Sequence, residues 1–265
     1  KMTKEEKAFV NYWFRHPWEF ILPLYPGLVL ASAITGMELR TLIAVNLAPS
    51  ALMAVGGFLF SMRGVKGRPS GEKISKRGFL SFLPIALVLL LVVALRLELY
   101  LSFVAVIAAL FVIYRYPPKE ILRVLKEGFS LDVIVLILGV MLFKTTMESS
   151  GAVASLSAYF TSKGIPLMPM LFLLPFVTGM LTGITVGYVG AAFPLLLSLA
   201  GGDTLAAVGF AFASGFVGVL LSPVHVCLIL TREYFRAEMS GIYRRTLPAG
   251  ALVLAGAVAV YLFLK

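Results

Sequence analysis

Ser222-Pro223-Val224-His225 interrupts an otherwise apolar stretch that extends from Thr204 to Thr231. Proline removes a backbone donor and breaks the hydrogen-bond ladder of a helix. Just before this stretch, residues 166–200 predict two short apolar helices joined at the turn Thr182-Gly183-Ile184-Thr185-Val186-Gly187. Freed backbone groups find no water at membrane depth, so such interruptions persist where they line a cavity. The two interruptions together predict a polar cavity inside an apolar fold.

The composition places the chain in a membrane. Of its 265 residues, 60% are hydrophobic and 14% are charged, and the mean hydropathy is +0.96. Soluble domains carry about 25% charged residues. We therefore expect an all-α polytopic membrane protein. The single cysteine, Cys227, excludes a disulfide within the chain and a cysteine-based metal motif, and it is interpreted as a buried structural thiol.

The basic residues predict the topology. Apolar spans are expected at residues 17–35, 41–60, 79–95, 99–114, 133–147, 166–200, 204–231 and 247–264. Of the 23 Lys and Arg residues, 18 lie in residues 1–15, 63–77, 115–126 and 232–245. Cytoplasmic loops carry such an excess, so the N-terminus and these loops should be cytoplasmic and the C-terminus outside. The net charge of +10 is thereby assigned to topology and not to nucleic-acid binding.

This topology requires residues 166–200 to enter and leave from the same, outer side. We favour a re-entrant hairpin over two full crossings, because each arm is short and the turn is polar and rich in glycine. The first span, which begins in a His/Pro cluster, is followed by one plain span, as is the 204–231 stretch. The two pairs have opposite predicted orientations, which is typical of an inverted-topology repeat.

The repeat hypothesis divides the chain into three parts. Residues 1–60 form the tail of a first repeat, with a broken helix and one span. Residues 61–78 form a cytoplasmic basic linker. Residues 79–265 form a second repeat, with the hairpin at 166–200 and the broken helix at 204–231. The hairpin that should precede residue 1 is missing, and the opening Lys-Met fits either a fragment of a longer protein or a residue left by cloning.

Several motifs resemble the DUF401 family of prokaryotic integral membrane proteins. They are Glu5-Glu6-Lys7-Ala8-Phe9-Val10-Asn11-Tyr12-Trp13-Phe14-Arg15-His16, Pro23-Leu24-Tyr25-Pro26-Gly27, Leu221-Ser222-Pro223-Val224-His225-Val226-Cys227-Leu228 and Thr231-Arg232-Glu233-Tyr234-Phe235. The resemblance covers nearly the whole chain and corresponds to the C-terminal portion of longer family members. It implies membership of the ion-transporter superfamily, with two inverted repeats, each holding a re-entrant hairpin and a discontinuous helix. Substrate would bind between the hairpin tips, often with sodium or protons. The family's substrate is not established.

The hairpin turn supplies the first candidate substrate-binding residues. Glycine lets a ligand approach the backbone closely. Amides at a helix end attract anions, and exposed carbonyls attract sodium. Helix packing is the alternative, because Gly179, Gly183 and Gly187 form a small-xxx-small series. The candidates are Thr182, Gly183, Ile184 and Thr185.

The proline-containing break supplies the second set. Pro223 should free the backbone carbonyl one turn earlier, near residues 218–219. Ser222 and His225 can then meet a ligand or ion, and His225 can relay a proton. A plain proline kink with a satisfied interior histidine is the alternative. Ser214 is placed on the same face two turns earlier, and sodium is expected near Thr182, Thr185 and Ser222.

The first broken helix should contribute counterparts of the second. Asn11 and His16 are the counterparts of Ser222 and His225, and Glu19 is expected to pair with Arg15 at i,i+4. The alternative is an interfacial anchor, in which the aromatic belt contains Tyr12, Trp13 and Trp18.

These features predict a secondary active transporter of a small anionic solute, coupled to sodium or protons. An elevator-type motion and a homodimer follow only from the superfamily analogy. The expected partners are the solute, the lipid bilayer and the missing N-terminal hairpin region, with no cofactor beyond Na⁺ or H⁺. A channel or structural membrane component is the alternative. An intramembrane enzyme using Ser222 and His225 is disfavoured, because no acid orients the histidine.

Overall fold

The computed structural model describes residues 2–61, 82–129, 131–151, 155, 158–160, 162–200 and 204–265, and these ranges contain helices and no strands. The chain divides into a larger unit, Lys1–Gly67 with Val140–Lys265, and a smaller one, Arg68–Gly139. Within the described ranges, three helical elements are long and apolar enough to cross a membrane: Leu39–Ser61, Leu205–Phe235 and Met239–Leu264. Together with the composition, they indicate a membrane protein.

The smaller unit begins within the predicted basic linker 61–78, of which residues 62–78 lie outside the described residues. Helix α4, Leu83–Leu89, continues as a short π-helical segment, Leu90–Ala94. Helices α5, Leu99–Ile113, and α6, Pro118–Gly128, follow, and α7, Leu131–Ser149, begins in this unit and ends in the larger one.

The first span is broken more extensively than the sequence predicts. Helix α1, Lys4–Trp13, starts at a capping box in which Thr3 and Glu6 bond reciprocally. A short 3₁₀ helix, Pro17–Phe20, and helix α2, Pro26–Thr35, follow. Residues 17–35, predicted as part of a broken helix, thus consist of two short helices separated by residues 21–25. Both later pieces begin with proline, which fits a first helical position but not a helix interior.

Helix α3, Leu39–Ser61, agrees with the second predicted span. Helices α8, Leu167–Thr182, and α9, Thr185–Ala200, form the predicted pair. Between them Gly183 has φ of +66°, which ends α8 in the left-handed conformation that glycine adopts without strain.

The second interruption separates α10, Thr204–Leu221, from α11, Val226–Phe235. The last helix, α12, is Met239–Leu264. It starts eight residues before the predicted span at 247, so part of the expected cytoplasmic loop 232–245 is helical. Arg244 and Arg245 end the apolar pattern and so set the predicted start at 247, but the first turns of a helix can hold charged side chains.

Glycines set the packing of the larger unit. A methyl group on Gly179 of α8 would collide with the Gly215 carbonyl of α10, and one on Gly218 would collide with the Phe176 carbonyl. Because Gly183 at the end of α8 also lies against Ser222 at the end of α10, the two helices run parallel, and their backbones are in contact. The packing interpretation of the glycine series therefore has structural support at Gly179, and Gly183 in the same series forms the turn, while the site interpretation stays a prediction.

Helices α3 and α12 pack against each other in antiparallel orientation. A methyl group on Gly56 would lie 3.5 Å from a Leu252 side-chain atom, and Gly256 faces Leu52. Residue numbers thus rise along one helix as they fall along the other at successive contacts, as antiparallel packing requires. These are the two plain spans that follow the broken helices.

Candidate functional site

The hairpin turn packs directly on the second break. A Cβ added to Gly183 would lie 3.0 Å from both Ser222 Oγ and the backbone nitrogen of His225. Real Cβ atoms rarely lie this close to backbone atoms. The turn therefore approaches the break so closely that glycine, which has no side chain, is the residue that fits at position 183. Two of the three predicted sets of site residues therefore meet.

A histidine fixes this contact. The Nδ1–H of His225 donates to the Gly183 carbonyl at 2.6 Å. His225 is the residue immediately before α11, and its ring reaches back across the break to the hairpin. The carbonyl at the end of α8 is thus satisfied by a side chain from the second broken helix.

The first break reaches the same place through Glu19. The Thr185 hydroxyl donates to Glu19 Oε2 at 3.0 Å, and Thr185 is the first residue of α9. A methyl group on Gly27, in the first turn of α2, would collide with the Thr185 side chain. The 3₁₀ helix, through Glu19, and α2, through Gly27, therefore both pack on the start of α9.

The two histidines of the chain face each other. His16 Nε2 and His225 Nε2 are 3.1 Å apart, although 208 residues separate them in the chain. The Nδ1–H of His16 donates to the Tyr12 carbonyl at 2.6 Å, and its Nε2 lies 3.7 Å from Glu19 Oε1. The first break, the hairpin turn and the second break thus form one polar junction, which we define by His16, Glu19, Gly183, Ser222 and His225.

Tyrosine hydroxyls satisfy the carbonyls freed at the second break. Tyr12 donates to the Leu220 carbonyl at 2.9 Å, and Tyr243 donates to the Leu221 carbonyl at 3.0 Å. The Val219 carbonyl accepts the Ser222 N–H at 3.1 Å. Of the predicted pair 218–219, the Val219 carbonyl is therefore not free, because α10 ends at Leu221 in a 3₁₀-type turn that supplies it with the Ser222 N–H.

Several predicted residues have their hydrogen bonds elsewhere. The Thr182 hydroxyl donates to the Thr178 carbonyl at 2.8 Å, and the Ser214 hydroxyl donates to the Phe210 carbonyl at 2.7 Å. Ser214 is fully buried within α10 and lies about two helical turns before the break. Ser222 Oγ accepts the Val224 N–H at 3.3 Å.

The remaining predicted residues differ in exposure. Ile184 and Pro223 are exposed at the edge of the polar junction, and Asn11 is exposed on α1, while its proposed counterpart Ser222 is fully buried. His16, by contrast, is only 2% exposed. The structure therefore places His16 but not Asn11 at the polar junction. The sodium prediction for Thr182, Thr185 and Ser222 stays a prediction.

The anchor hypothesis for the first break is wrong for two of its three aromatic residues. Tyr12 and Trp13 are fully buried, and Trp13 Nε1 donates to the Met53 carbonyl at 2.7 Å. Trp18 is 53% exposed, as an anchor would be. Arg15 is exposed, and among the described residues Glu19 pairs with His16 and Thr185 instead. The chain between Trp13 and Pro17 is not α-helical, so i,i+4 spacing does not bring Arg15 to Glu19.

Cys227 and Glu19 are the site residues that sequence reasoning missed. Cys227 is half-buried, and its thiol and one nitrogen of each histidine all lie within 4.8 Å of one another. For Cys227, the only signal in the sequence that pointed to the site was its position two residues after His225.

The comparison with curated proteins found no significant match. The profile of one family, described as "Protein of unknown function (DUF401)", matches residues 1–264. The resemblance carried by the two broken helices is thereby confirmed over the whole length of the chain. The chain belongs to the DUF401 family.

Proposed function

We propose that the protein is a secondary active transporter of a small anionic solute, coupled to sodium or protons, and that the solute binds at the polar junction. The observation that carries the proposal is the contact between the Gly183 turn and the Ser222–His225 break. Two helix interruptions in register, inside a unit built of apolar helices, match the architecture of substrate sites in secondary transporters.

The length of the hairpin supports re-entry. Helices α8 and α9 each have 16 residues, which corresponds to about 24 Å at 1.5 Å per residue. The hydrocarbon layer is about 30 Å thick. Two such arms joined by the tight Gly183 turn favour a hairpin that ends inside the membrane, where its turn is covered by protein and not by lipid.

The paired elements support an inverted repeat. Each broken helix supplies one histidine, and the two plain spans that follow, α3 and α12, are antiparallel. Two units of opposite orientation, related by an axis between His16 and His225, produce this arrangement. Residues 1–60 then belong to the first repeat and the hairpin, α10, α11 and α12 to the second.

The ends of the elements support the charge-based topology. Glu6 of α1 accepts from Arg245 of α12 at 2.9 Å, so the two predicted cytoplasmic segments lie together. The excess of basic residues places both on the cytoplasmic side. Helix α12 then takes the C-terminus outward.

The polar junction as it stands leaves no room for a solute between Gly183 and Ser222. Transport therefore requires the hairpin turn to separate from the break, admit the solute and close again. An elevator-type displacement of the hairpin, implied by the resemblance to the ion-transporter superfamily, is one motion that does so. The protonation of the His16–His225 pair, or sodium at the freed carbonyls, supplies the coupling.

The enzyme alternative receives little support from the geometry. The Nδ1–H of His225 is engaged by Gly183, and its Nε2 faces His16, so both ring nitrogens have neighbours other than Ser222. A serine nucleophile needs a base that accepts its proton.

A thermal-shift screen of the purified protein against organic and inorganic anions, with and without sodium, tests the proposal. A solute that binds the folded state raises its unfolding temperature by mass action. The stabilisation should be lost in Thr185→Ala and Ser222→Ala, and retained in Thr246→Ala, whose hydroxyl bonds within α12. Equal stabilisation of all three variants would place the solute elsewhere.

Flux measurements in proteoliposomes separate a carrier from a channel. For the solute found in the screen, a carrier gives uptake that saturates and is accelerated by solute already inside the vesicle. Uptake that rises linearly with concentration and shows no such exchange would contradict the proposal.

A further inference from the structure

We propose that His16, His225 and Cys227, with Glu19 as the fourth donor, form a binding site for a transition-metal ion, and that the ion is Zn²⁺. One ligand atom from each of the first three residues lies within 4.8 Å of the others. The site joins the first broken helix to the second. The inference stands on these contacts and does not depend on the proposed transport activity.

The orientation of the two imidazole rings points to a cation between them. A carbonyl only accepts, so the bonds to Tyr12 and Gly183 place a hydrogen on Nδ1 of each ring. In the neutral rings, Nε2 is then a bare acceptor. The two Nε2 atoms nevertheless face each other at 3.1 Å, where two lone pairs repel unless a positive species lies between them.

The same hydrogen bonds are those of metal-ligating histidines. Such histidines almost always donate the second ring N–H to a carbonyl or carboxylate, which fixes the tautomer and the ring orientation. Zinc–nitrogen bonds of about 2.0–2.1 Å in tetrahedral geometry separate two nitrogen ligands by about 3.3 Å. The observed separation of 3.1 Å is within a few tenths of that value.

The charges of the four donors match a divalent cation. A metal deprotonates a coordinating thiol. Cys227 and Glu19 therefore supply two negative charges that balance the divalent ion, and the two imidazoles are neutral. Glu19 Oε1 is already 3.7 Å from His16 Nε2. A neutral cluster avoids the cost of burying net charge, which is large for His16 at 2% exposure. The Cys227 thiol lies at most 4.8 Å from the ring nitrogens, and from that distance it must move about 1 Å closer to form a zinc–sulfur bond of about 2.3 Å.

The donor set selects the class of metal. Two imidazoles and a thiolate suit zinc or copper, whereas magnesium and calcium require mainly oxygen ligands. A shared proton is the other positive species that relieves the repulsion between the two rings, and it needs no sulfur. The participation of Cys227 therefore distinguishes the metal from the proton.

Because Cys227 is the single cysteine, its alkylation reports directly on the site. Detergent-purified, chelator-stripped protein is treated with a small maleimide, with or without ZnCl₂. We expect Zn²⁺ to slow the alkylation at least about tenfold, as loss of thiolate reactivity requires, and a chelator to reverse the effect. Equal concentrations of MgCl₂ should change nothing. An alkylation rate unaffected by Zn²⁺ would overturn the proposal in favour of the shared proton.

Variants then assign the ligands. Competition with a chromogenic chelator should give one Zn²⁺ per chain, and Co²⁺ in its place should show a thiolate-to-cobalt charge-transfer band. Cys227→Ser should abolish the band and weaken binding at least about tenfold, as should His16→Ala and His225→Ala. Ser102→Ala, which removes a buried hydroxyl in the smaller unit, is the control and should keep both. Retention of Zn²⁺ affinity in Cys227→Ser would refute the site. If a histidine variant fails to fold, the alkylation experiment on the unaltered protein still decides whether Zn²⁺ binds at Cys227.

Discussion

The two broken helices reach the same point by different local means. The second break is short: α10 ends at Leu221 and α11 begins at Val226. The first extends from Phe14 to Tyr25 and contains its own 3₁₀ helix. The second break contacts the hairpin turn through His225 and Ser222, and the first broken helix adds the Tyr12 hydroxyl and the His16 ring.

This difference assigns the two regions different roles. The second break and the hairpin turn form a contact that leaves no space for a side chain, so under the proposed function they are the surfaces that part to admit a solute. The first broken helix lies beside that contact: Tyr12 donates to the Leu220 carbonyl, the His16 ring faces His225, and Glu19 accepts from Thr185. Variants on the two sides should therefore fail in different ways.

The largest effect is expected from Gly183→Ala compared with Gly36→Ala. Both glycines have positive φ, +66° and +68°, but Gly36 at the end of α2 has open space and Gly183 does not. The backbone strain costs about 1–2 kcal/mol at each site. Overpacking against the second break adds about 1–3 kcal/mol at Gly183 only. Thermal unfolding in detergent should show the larger loss in Gly183→Ala, and equal losses would mean that the turn is not packed on the break.

The next effect concerns the carbonyls at the end of α10. Tyr12→Phe leaves the buried Leu220 carbonyl without its donor, which should destabilise the protein by about 1–3 kcal/mol. Tyr243→Phe is the matched control, because the Leu221 bond is only partly buried and water can replace it. Unfolding by heat or denaturant measures the difference. A smaller loss for Tyr12→Phe than for Tyr243→Phe would contradict the supporting role of the first break.

A third, smaller effect tests the bond between Thr185 and Glu19. Thr185→Val removes the hydroxyl with little change in shape and should cost about 1 kcal/mol, since the bond is charge-assisted but only part-buried. In a double-mutant cycle with Glu19→Gln, the two changes should be non-additive. Additive losses would show that the two side chains do not interact in the folded protein.

The smallest effect is expected at the end of the unit, where Arg245 pairs with Glu6. The pair is partly exposed, so Arg245→Gln should cost less than about 1 kcal/mol. The loss should shrink further at high ionic strength, because salt screens the pair. A salt-independent loss of several kcal/mol would indicate a packing role for the Arg245 side chain instead.

Local signals predicted the second break and the hairpin, and only long-range contacts define the polar junction. Pro223 and Gly183 interrupt helices by their own backbone chemistry, so the sequence alone places those interruptions. The contacts Tyr12–Leu220, His16–His225 and Thr185–Glu19 join residues more than 160 positions apart, and no local pattern specifies them. The His/Pro cluster predicted a broken first helix, but the apolar content did not reveal that the break extends from Phe14 to Tyr25 and contains its own 3₁₀ helix.

A reversible cross-link tests the central claim most directly, that the hairpin turn and the second break meet and must part for transport. In a Cys227→Ser background, Gly183→Cys and Ser222→Cys place two Cβ atoms within reach of a disulfide, for which about 3.5–4.5 Å is suitable. The backbone strain at position 183 is the same in the oxidised and reduced forms, so it cancels from their comparison.

We expect mild oxidation to form the cross-link, saturating solute to slow its formation, and solute uptake to stop when it is formed and resume on reduction. Two thiols that react with maleimide but never cross-link, or cross-linked protein that still takes up solute, would contradict the account.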